Sequence, residues 1–481
     1  MDDRQSPKIE DHRNHKSKEE QVSSSSFVTN SDRQLRTCAW YGDQPFWLDF
    51  PDEWEATFLW PKTPPPLTDD QIAEKLERPI GQPPIREICR GKSRPLVIVD
   101  DLNRPTPAAR VMPYLLSHFH DAGIPAREVR IMMAPGTHGA PCRDALVKKI
   151  GPAAVSCRIL VHDCTGNIVK IGRTSFGTPV VVNREVVRSD LVVGIGGIYP
   201  NYTAGFGGGS KLALGVLGER SIMHLHYCHK EMGWGSSRDG ELRMDLDEIA
   251  RMIRLNTMIS LHVNADRQPI RISCGDHFLY YKEALTFSRE AFRAPMPKGA
   301  DVVISNAYPD DLSLTFVRMK GITPLLHCDP RSSRIVVASC SEGVGHHGLF
   351  PFMNLPRFHR ERAMAQRISL MKPREVVDRI TTRLRRSFRA KFDLNRNSRL
   401  ASSHESRTEK KPIWLYRTGI HVEPLPSEIP FQIRATSSWS EIVRAVQKEQ
   451  PEKTRLKVLL YPCAPLQWLD PSINHGEGAS T

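Results

Sequence analysis

The stretch Pro95–Gly123, PLVIVDDLNRPTPAARVMPYLLSHFHDAG, decides the fold. Leu96–Val99 is an unbroken apolar run that ends at two acids, Asp100 and Asp101. Runs without polar alternation belong to strands buried on both faces. Thr106 and Pro107 have the chemistry of a helix N-cap and a first helical position. Val111, Leu115 and Phe119 follow at a spacing of four, and Gly123 supplies a stop. The unit therefore reads strand, polar turn, helix. His118 and His120 fall in that helix as packing or surface residues.

The same unit recurs along the chain. Val129–Met133 runs into APGTHG, Arg158–Val161 into His162–Asp163, and Leu191–Ile195 into GGIYPN, with Val180–Val182 before the last. Val302–Ile304, Ile335–Val337 and Leu456–Leu460 are later runs of this kind. Such alternation predicts an α/β protein with largely parallel sheets. Open sheets of this class bind ligands beyond the carboxyl ends of their strands. The site is therefore expected to face Asp101, Arg104, His138, His162 and the Gly-rich segment after Tyr199.

The chain has 481 residues, enough for two or three domains at ~100–200 residues each. Residues 1–39 are polar and Ser-rich and are expected to be disordered. An α/β domain is expected over 40–290 and a second over 291–470, with a flexible tail at 471–481. No apolar run reaches the ~18 residues of a membrane span, and no apolar signal core stands at the N-terminus. Ten cysteines are scattered without CxxC spacing, so a reducing cytoplasm is expected.

The formal charge is +13, which raises the question of a nucleic-acid partner. Residues 356–411 hold 17 Lys or Arg against 6 Asp or Glu, an excess of 11, so the rest of the chain is nearly neutral. Ile380, Leu384 and Phe388 predict a basic amphipathic helix within Arg379–Phe392. No aromatic-interleaved groove accompanies it, so neither nucleic acid nor a membrane is expected as a partner.

The densest chemistry lies in Gly194–His229, GIGGIYPNYTAGFGGGSKLALGVLGERSIMHLHYCH. A dinucleotide fingerprint fails because Tyr199 stands where its last glycine is required. A phosphate-binding P-loop fails because Ser210 precedes Lys211 and Leu212 follows it. What remains is a loop, with Gly205, Gly207, Gly208 and Gly209, that lets backbone approach a ligand closely. Lys211 at its end is a phosphate counter-charge, a nucleophile that links a cofactor covalently, or a surface residue. His224, His226 and His229 hold a transition metal or are incidental to a polar helix.

Taken together, these residues resemble the lactate racemase family of nickel-pincer-nucleotide enzymes. The motifs are DDLNRPTP at Asp100–Pro107, APGTHG at Ala134–Gly139, HDC at His162–Cys164 and GTPVVVN at Gly177–Asn183. YPNYTAGFGGGSK at Tyr199–Lys211, SIMHLH at Ser221–His226, SNAYPDDLSLTFVRMKG at Ser305–Gly321 and SEGVG at Ser341–Gly345 continue the series. The resemblance implies two Rossmann-like domains with a cofactor cleft between them. It implies racemisation or epimerisation of a 2-hydroxy acid by hydride transfer to and from the nucleotide. Lys211 would carry the nickel pyridinium bisthiocarboxylic acid mononucleotide covalently, and His226 would ligate nickel. The cofactor would supply two sulfurs and a carbon, so one imidazole completes a square-planar site. Asp101, Arg104, Gly207, Gly208 and Gly209 would hold cofactor or substrate, Lys320 would serve the substrate site, and His138 would be a catalytic base. His224 and His229 are left without a role. Cofactor-synthesis enzymes are implied as partners.

One departure touches the chemistry itself. Asn201 stands where the family has its second catalytic histidine, and an amide is no general base at neutral pH. Tyr199, Tyr202 and His162 are candidates to replace it. Asn201 also suits a hydrogen bond to a larger, hydroxylated substrate such as a sugar acid. Two other functions fit the residues: a homologue that binds a nucleotide or another ligand without turnover, and a zinc-type metallohydrolase built on the histidine cluster.

Overall fold

The structure, a computed structural model, describes residues 33–139, 141–229, 233–236, 240–255, 257–349, 411–419, 425, 429 and 432–473. Two six-stranded sheets dominate it. The first has the spatial order Pro269–Asp276, Thr257–Val263, Leu191–Gly197, Pro95–Asp100, Arg130–Ala134, Arg158–Val161. All its pairings are parallel except the outer one between Thr257–Val263 and Pro269–Asp276. The second has the order Ile433–Thr436, Ile413–Arg417, Ser333–Ala338, Val302–Asn306, Leu456–Tyr461, Trp54–Phe58, parallel throughout.

Packing explains the unbroken apolar runs. Val97 and Val99 enter one core cluster while Leu96 and Ile98 enter another, so this strand is buried on both faces. Val303 and its neighbours Val302 and Ile304 divide between two further clusters in the same way. The fold is mixed α/β with largely parallel sheets, as the sequence predicts.

Several local expectations need correction. The helix after the first strand is Met112–Asp121 with Val111 as N-cap, preceded by a short 3-10 turn at Ala108–Arg110. Thr106 does not cap it; its hydroxyl donates to Asp100 Oδ2 at 2.6 Å. His118 is buried in this helix and His120 is exposed. Val180–Val182 lies in Pro179–Asn183, which pairs with Ile168–Arg173 in an antiparallel hairpin outside both large sheets.

The expected disordered head reaches too far. Leu35–Thr37 is a strand paired with Gln44–Phe46. The backbone N–H groups of Cys38 and Ala39 donate to Asp311 at 2.8 and 3.1 Å, tying this segment down. Trp54–Phe58, placed by sequence before residue 290, joins the second sheet by pairing with Leu456–Leu460. The basic helix expected within 379–392 and residues 474–481 of the tail lie outside the described residues. Among the described residues, no helix is long and apolar enough to cross a membrane.

Strand order locates the crevice. From Pro95–Asp100 the chain moves outward to Arg130–Ala134 and Arg158–Val161, then returns on the other side with Leu191–Gly197. The order thus reverses between Pro95–Asp100 and Leu191–Gly197, and ligands bind at such reversals. The matching reversal of the second sheet, between Val302–Asn306 and Leu456–Tyr461, is bridged by Asn306. Its Nδ2 donates to the carbonyls of Arg36, at 3.0 Å, and Pro462, at 2.9 Å.

Candidate functional site

Two adjoining clefts open at the reversal in the first sheet. One is lined by Asp100, Asp101, Gly196, Gly197, Gly207 and Gly208, among others. The second reaches residues carried beyond the second sheet's strands, including Phe316, Lys320 and His347. Arg104, His138, Asn201 and Lys211 line both. Both are partly open to solvent, with about 510 and 620 Å³ of empty space that includes this open part.

The Gly-rich loop is shaped by its backbone. Gly208 has φ +75°, and a Cβ there would lie 2.5 Å from Ile198 Cγ1. Gly209 has φ +57° and begins the 3-10 segment Gly209–Val216, which carries Lys211. Gly209 does not line either cleft; a Cβ on it would meet the Tyr281 ring at 3.0 Å. Arg243 braces the loop from behind. Its guanidinium donates to the carbonyls of Phe206 and Gly208 at 2.7 and 3.1 Å. Tyr281 donates to the carbonyl of Gly207 at 2.8 Å. Gly208→Ala is expected to cost about 1–3 kcal/mol, because a side chain must then adopt a strained φ against Ile198. Chemical denaturation of the variant measures it, and an unchanged midpoint contradicts the packing.

Lys211 has no acidic partner within ion-pair distance among the described residues. Burial, reinforced by the positive charges of Arg104, Arg243 and Lys320, lowers its pKa to about 7. A substantial fraction of the amine is therefore neutral at physiological pH, as a nucleophile requires.

His226 sits on the helix Glu219–Cys228. Its Nδ1 lies 2.8 Å from the carbonyl of Ile222, which can only accept, so Nδ1 carries the proton. Nε2 is then the lone-pair nitrogen of a ring that lines the cleft. Burial, with Lys211 nearby, lowers its pKa to about 4 and keeps it neutral. A neutral imidazole fixed through its other nitrogen has the chemistry to hold a metal in register.

His138 follows the strand Arg130–Ala134 and donates from Nδ1 to Asp101 Oδ2. Burial opposes ionisation of Asp101, but His138 and Arg104 outweigh it and hold the carboxyl well below the usual range. Burial lowers the pKa of His138. The pair is therefore a carboxylate orienting a neutral imidazole, with Nε2 as its basic nitrogen. The ring packs against Phe316 and His347, with centroids 4.9 and 4.7 Å away.

Lys320 lies in a π-helical turn, Val317–Gly321, and pairs with Asp310. Its Nζ is 5.3 Å from the ring centroid of Tyr199. Arg104 Nε stands 3.7 Å from Asp101 Oδ1. Asn201 accepts on Oδ1 from Thr203 Oγ1 at 2.9 Å and from the Ala204 N–H at 3.0 Å. Its NH2 is thus the group left to serve the cleft.

His162, expected at the site, is not there. Its Nε2 donates to the carbonyl of Leu217 at 2.9 Å, and its Nδ1 accepts from Asn183 at 3.0 Å. Both nitrogens are used inside the fold, which removes it as a replacement base. Tyr199 is buried beside the first cleft, whereas Tyr202 is 55% exposed at the rim of the second. Sequence reasoning missed His347, Arg243 and Tyr281. His347 was visible as the second histidine of GHHG just after SEGVG. Arg243 and Tyr281 carried no motif.

Comparisons with known proteins bear on the family and the fold. Residues 41–235 match the family model of the lactate racemase N-terminal domain. The chain is 28% identical over 296 residues to the lactate racemase of Lactiplantibacillus plantarum, covering 59% of this chain and 69% of that protein. It is 26% identical over 325 residues to the lactate racemase of Thermoanaerobacterium thermosaccharolyticum, covering 64% and 76%. The solved lactate racemase apoprotein from T. thermosaccharolyticum superposes with a TM-score of 0.62 at 18% identity, covering 91% of this chain and 100% of that one. A structure from Thermotoga maritima follows at 0.52 and 15%, covering 85% and 100%. The two superpositions bear on the fold.

Proposed function

We propose that this chain, which belongs to the lactate racemase family, is an isomerase that racemises or epimerises a 2-hydroxy acid. The observation that carries the reading is the meeting of Lys211, His226 and His138 in one pair of clefts. The residues fit the family's nickel-pincer nucleotide. Lys211 offers a partly neutral amine for a covalent link, His226 offers Nε2 for nickel, and Gly207 and Gly208 let backbone approach a phosphate. When bound there, that cofactor would supply the acceptor and donor of the substrate's α-hydrogen as hydride.

The remaining chemistry belongs to the chain. His138 Nε2 takes the proton of the substrate hydroxyl and returns it, while Asp101 holds the ring and stabilises the imidazolium that forms. Arg104 and Lys320 attract the substrate carboxylate. Phe316 and the buried ring of Tyr199 limit water. We further propose that the Asn201 NH2 donates to an additional hydroxyl of a substrate larger than lactate, such as a sugar acid. The two Rossmann-like domains, 40–290 and 291–470 but for strand Trp54–Phe58, would enclose the cofactor, with cofactor-synthesis enzymes as partners. A cytoplasmic location is part of the same proposal.

The test is co-expression with cofactor-synthesis enzymes, followed by nickel analysis, intact mass, and α-hydrogen exchange over a panel of 2-hydroxy acids. An adduct and nickel with exchange of at least one acid support the reading. A loaded protein that exchanges none supports a ligand-binding homologue without turnover; no nickel and no adduct, together with a hydrolytic activity that is lost when zinc is removed, supports a metallohydrolase. Asn201→Asp keeps the acceptor that shapes the turn but removes the NH2 donor. It is expected to raise KM for a hydroxylated acid about tenfold, the worth of one hydrogen bond near ~1.5 kcal/mol, with a smaller effect on lactate. Equal effects on both substrates would argue against that contact.

A further inference from the structure

The helix Glu219–Cys228 has a second face that this chemistry does not use. His224 precedes His226 by two residues, roughly 200° around the helix axis. On that side His224, His229 and Asp245 each offer one ligand atom, all within 4.8 Å of one another. They come from three places: the helix itself, the residue that caps its C-terminus, and the second turn of the helix Glu241–Met252.

Hydrogen bonds account for only part of this cluster. His229 Nε2 meets Asp245 Oδ2 at 2.7 Å. Thr178 Oγ1 lies 2.8 Å from His224 Nδ1 and also bonds Asp245 Oδ2. Two atoms, Asp245 Oδ1 and His229 Nδ1, are buried without a hydrogen-bond partner among the described residues. The Asp245 side chain is 0% exposed and that of His229 is 4% exposed. Buried carboxylate oxygens are rarely left so. Glu241 Oε2 stands 3.6 Å from His229 Nδ1, placed as the outer carboxylate that fixes a metal-bound imidazole.

We propose that His224, His229 and Asp245 bind a zinc ion that is distinct from the metal at His226. Two imidazoles and a carboxylate are a zinc donor set, and water completes four-coordination. The burial makes the site structural. It would pin the end of the helix that carries His226 to the helix that carries Arg243, the brace of the Gly-rich loop. One ion outside the clefts would thereby hold two of their walls. This inference does not depend on the racemase reading.

The test uses the full chain expressed without cofactor-synthesis enzymes, incubated with Zn²⁺ and passed through gel filtration. About one zinc per chain is expected in the wild type and in His226→Ala. His229→Gln and Asp245→Asn are expected to weaken zinc binding at least tenfold. Zn²⁺ should raise Tm of the wild type and of His226→Ala but not of those two variants. X-ray absorption of the zinc-loaded wild type, which needs no variant to fold, should show nitrogen and oxygen neighbours and no sulfur. The proposal fails if the wild type retains no zinc. It fails also if His226→Ala abolishes binding while Asp245→Asn keeps it, or if sulfur ligates the ion.

Discussion

Replacing Lys211 by alanine is expected to abolish the covalent adduct and to reduce turnover to background. The amine is the only atom of this side chain that can form the link, and its surroundings make it reactive. Burial and the cations Arg104, Arg243 and Lys320 lower its pKa to about 7. Lys211→Arg separates the two chemical roles open to this residue. Arginine keeps the positive charge that would neutralise a phosphate but cannot form the link. Loss of adduct and turnover in both variants supports covalent attachment. Full turnover in Lys211→Arg would leave only a counter-charge and would remove the tethering proposal. The pKa adds a sign that can be measured. The neutral amine is the reactive form, so the rate of loading should fall about tenfold per pH unit well below 7 and level off above it. A loading rate that is flat between pH 5 and 8 would contradict this.

His138→Ala is expected to leave the adduct and the nickel in place while lowering kcat by roughly 10²–10⁴-fold, the usual worth of a positioned acid–base group. Asp101→Asn should act in the same direction through the ring. Asp101 accepts from Nδ1 and so keeps Nε2 as the basic nitrogen. An amide there can turn its NH2 toward the ring and favour the wrong tautomer. Because burial lowers the pKa of His138, the base stays neutral to lower pH than a free histidine. The acid limb of kcat/KM should therefore fall below 6.5, the ordinary value. His138→Ala with unchanged kcat would transfer the role to another group in the clefts, and His347 is the neighbour to examine first.

Much of this was legible in the chain, for physical reasons that differ by element. Strands buried on both faces cannot hide their composition. Leu96–Val99, Val302–Ile304 and Leu456–Leu460 were found because both sides of each are core. Pro179–Asn183 was equally apolar, but whether it paired in a hairpin or in the large sheet depended on Ile168–Arg173, which has no distinctive pattern. The cap was misread because the Thr106 hydroxyl had a better partner in Asp100, six residues earlier, than in a helix that begins later.

The site divides in the same way. Lys211, His138 and His226 lie in dense local motifs, so sequence alone singled them out and the order of those motifs suggested the family. Which residues share a cleft is a property of distance in space. His162 also follows a strand in a matching motif, yet Leu217 and Asn183 draw both its nitrogens into the interior. His347 lies more than 200 residues after His138 in sequence, and the fold brings the two rings together. By itself the sequence determined the α/β class, the strand ends that carry the chemistry, and the lysine and histidines to examine, because local periodicity and loop composition are written in neighbouring residues. Only the tertiary structure decided that His162 leaves the site, that His347 enters it, that Arg243 braces the glycine loop, and that His224, His229 and Asp245 meet. Hydrogen bonds and packing between segments far apart in the chain settle those outcomes, and no short stretch of sequence contains both partners.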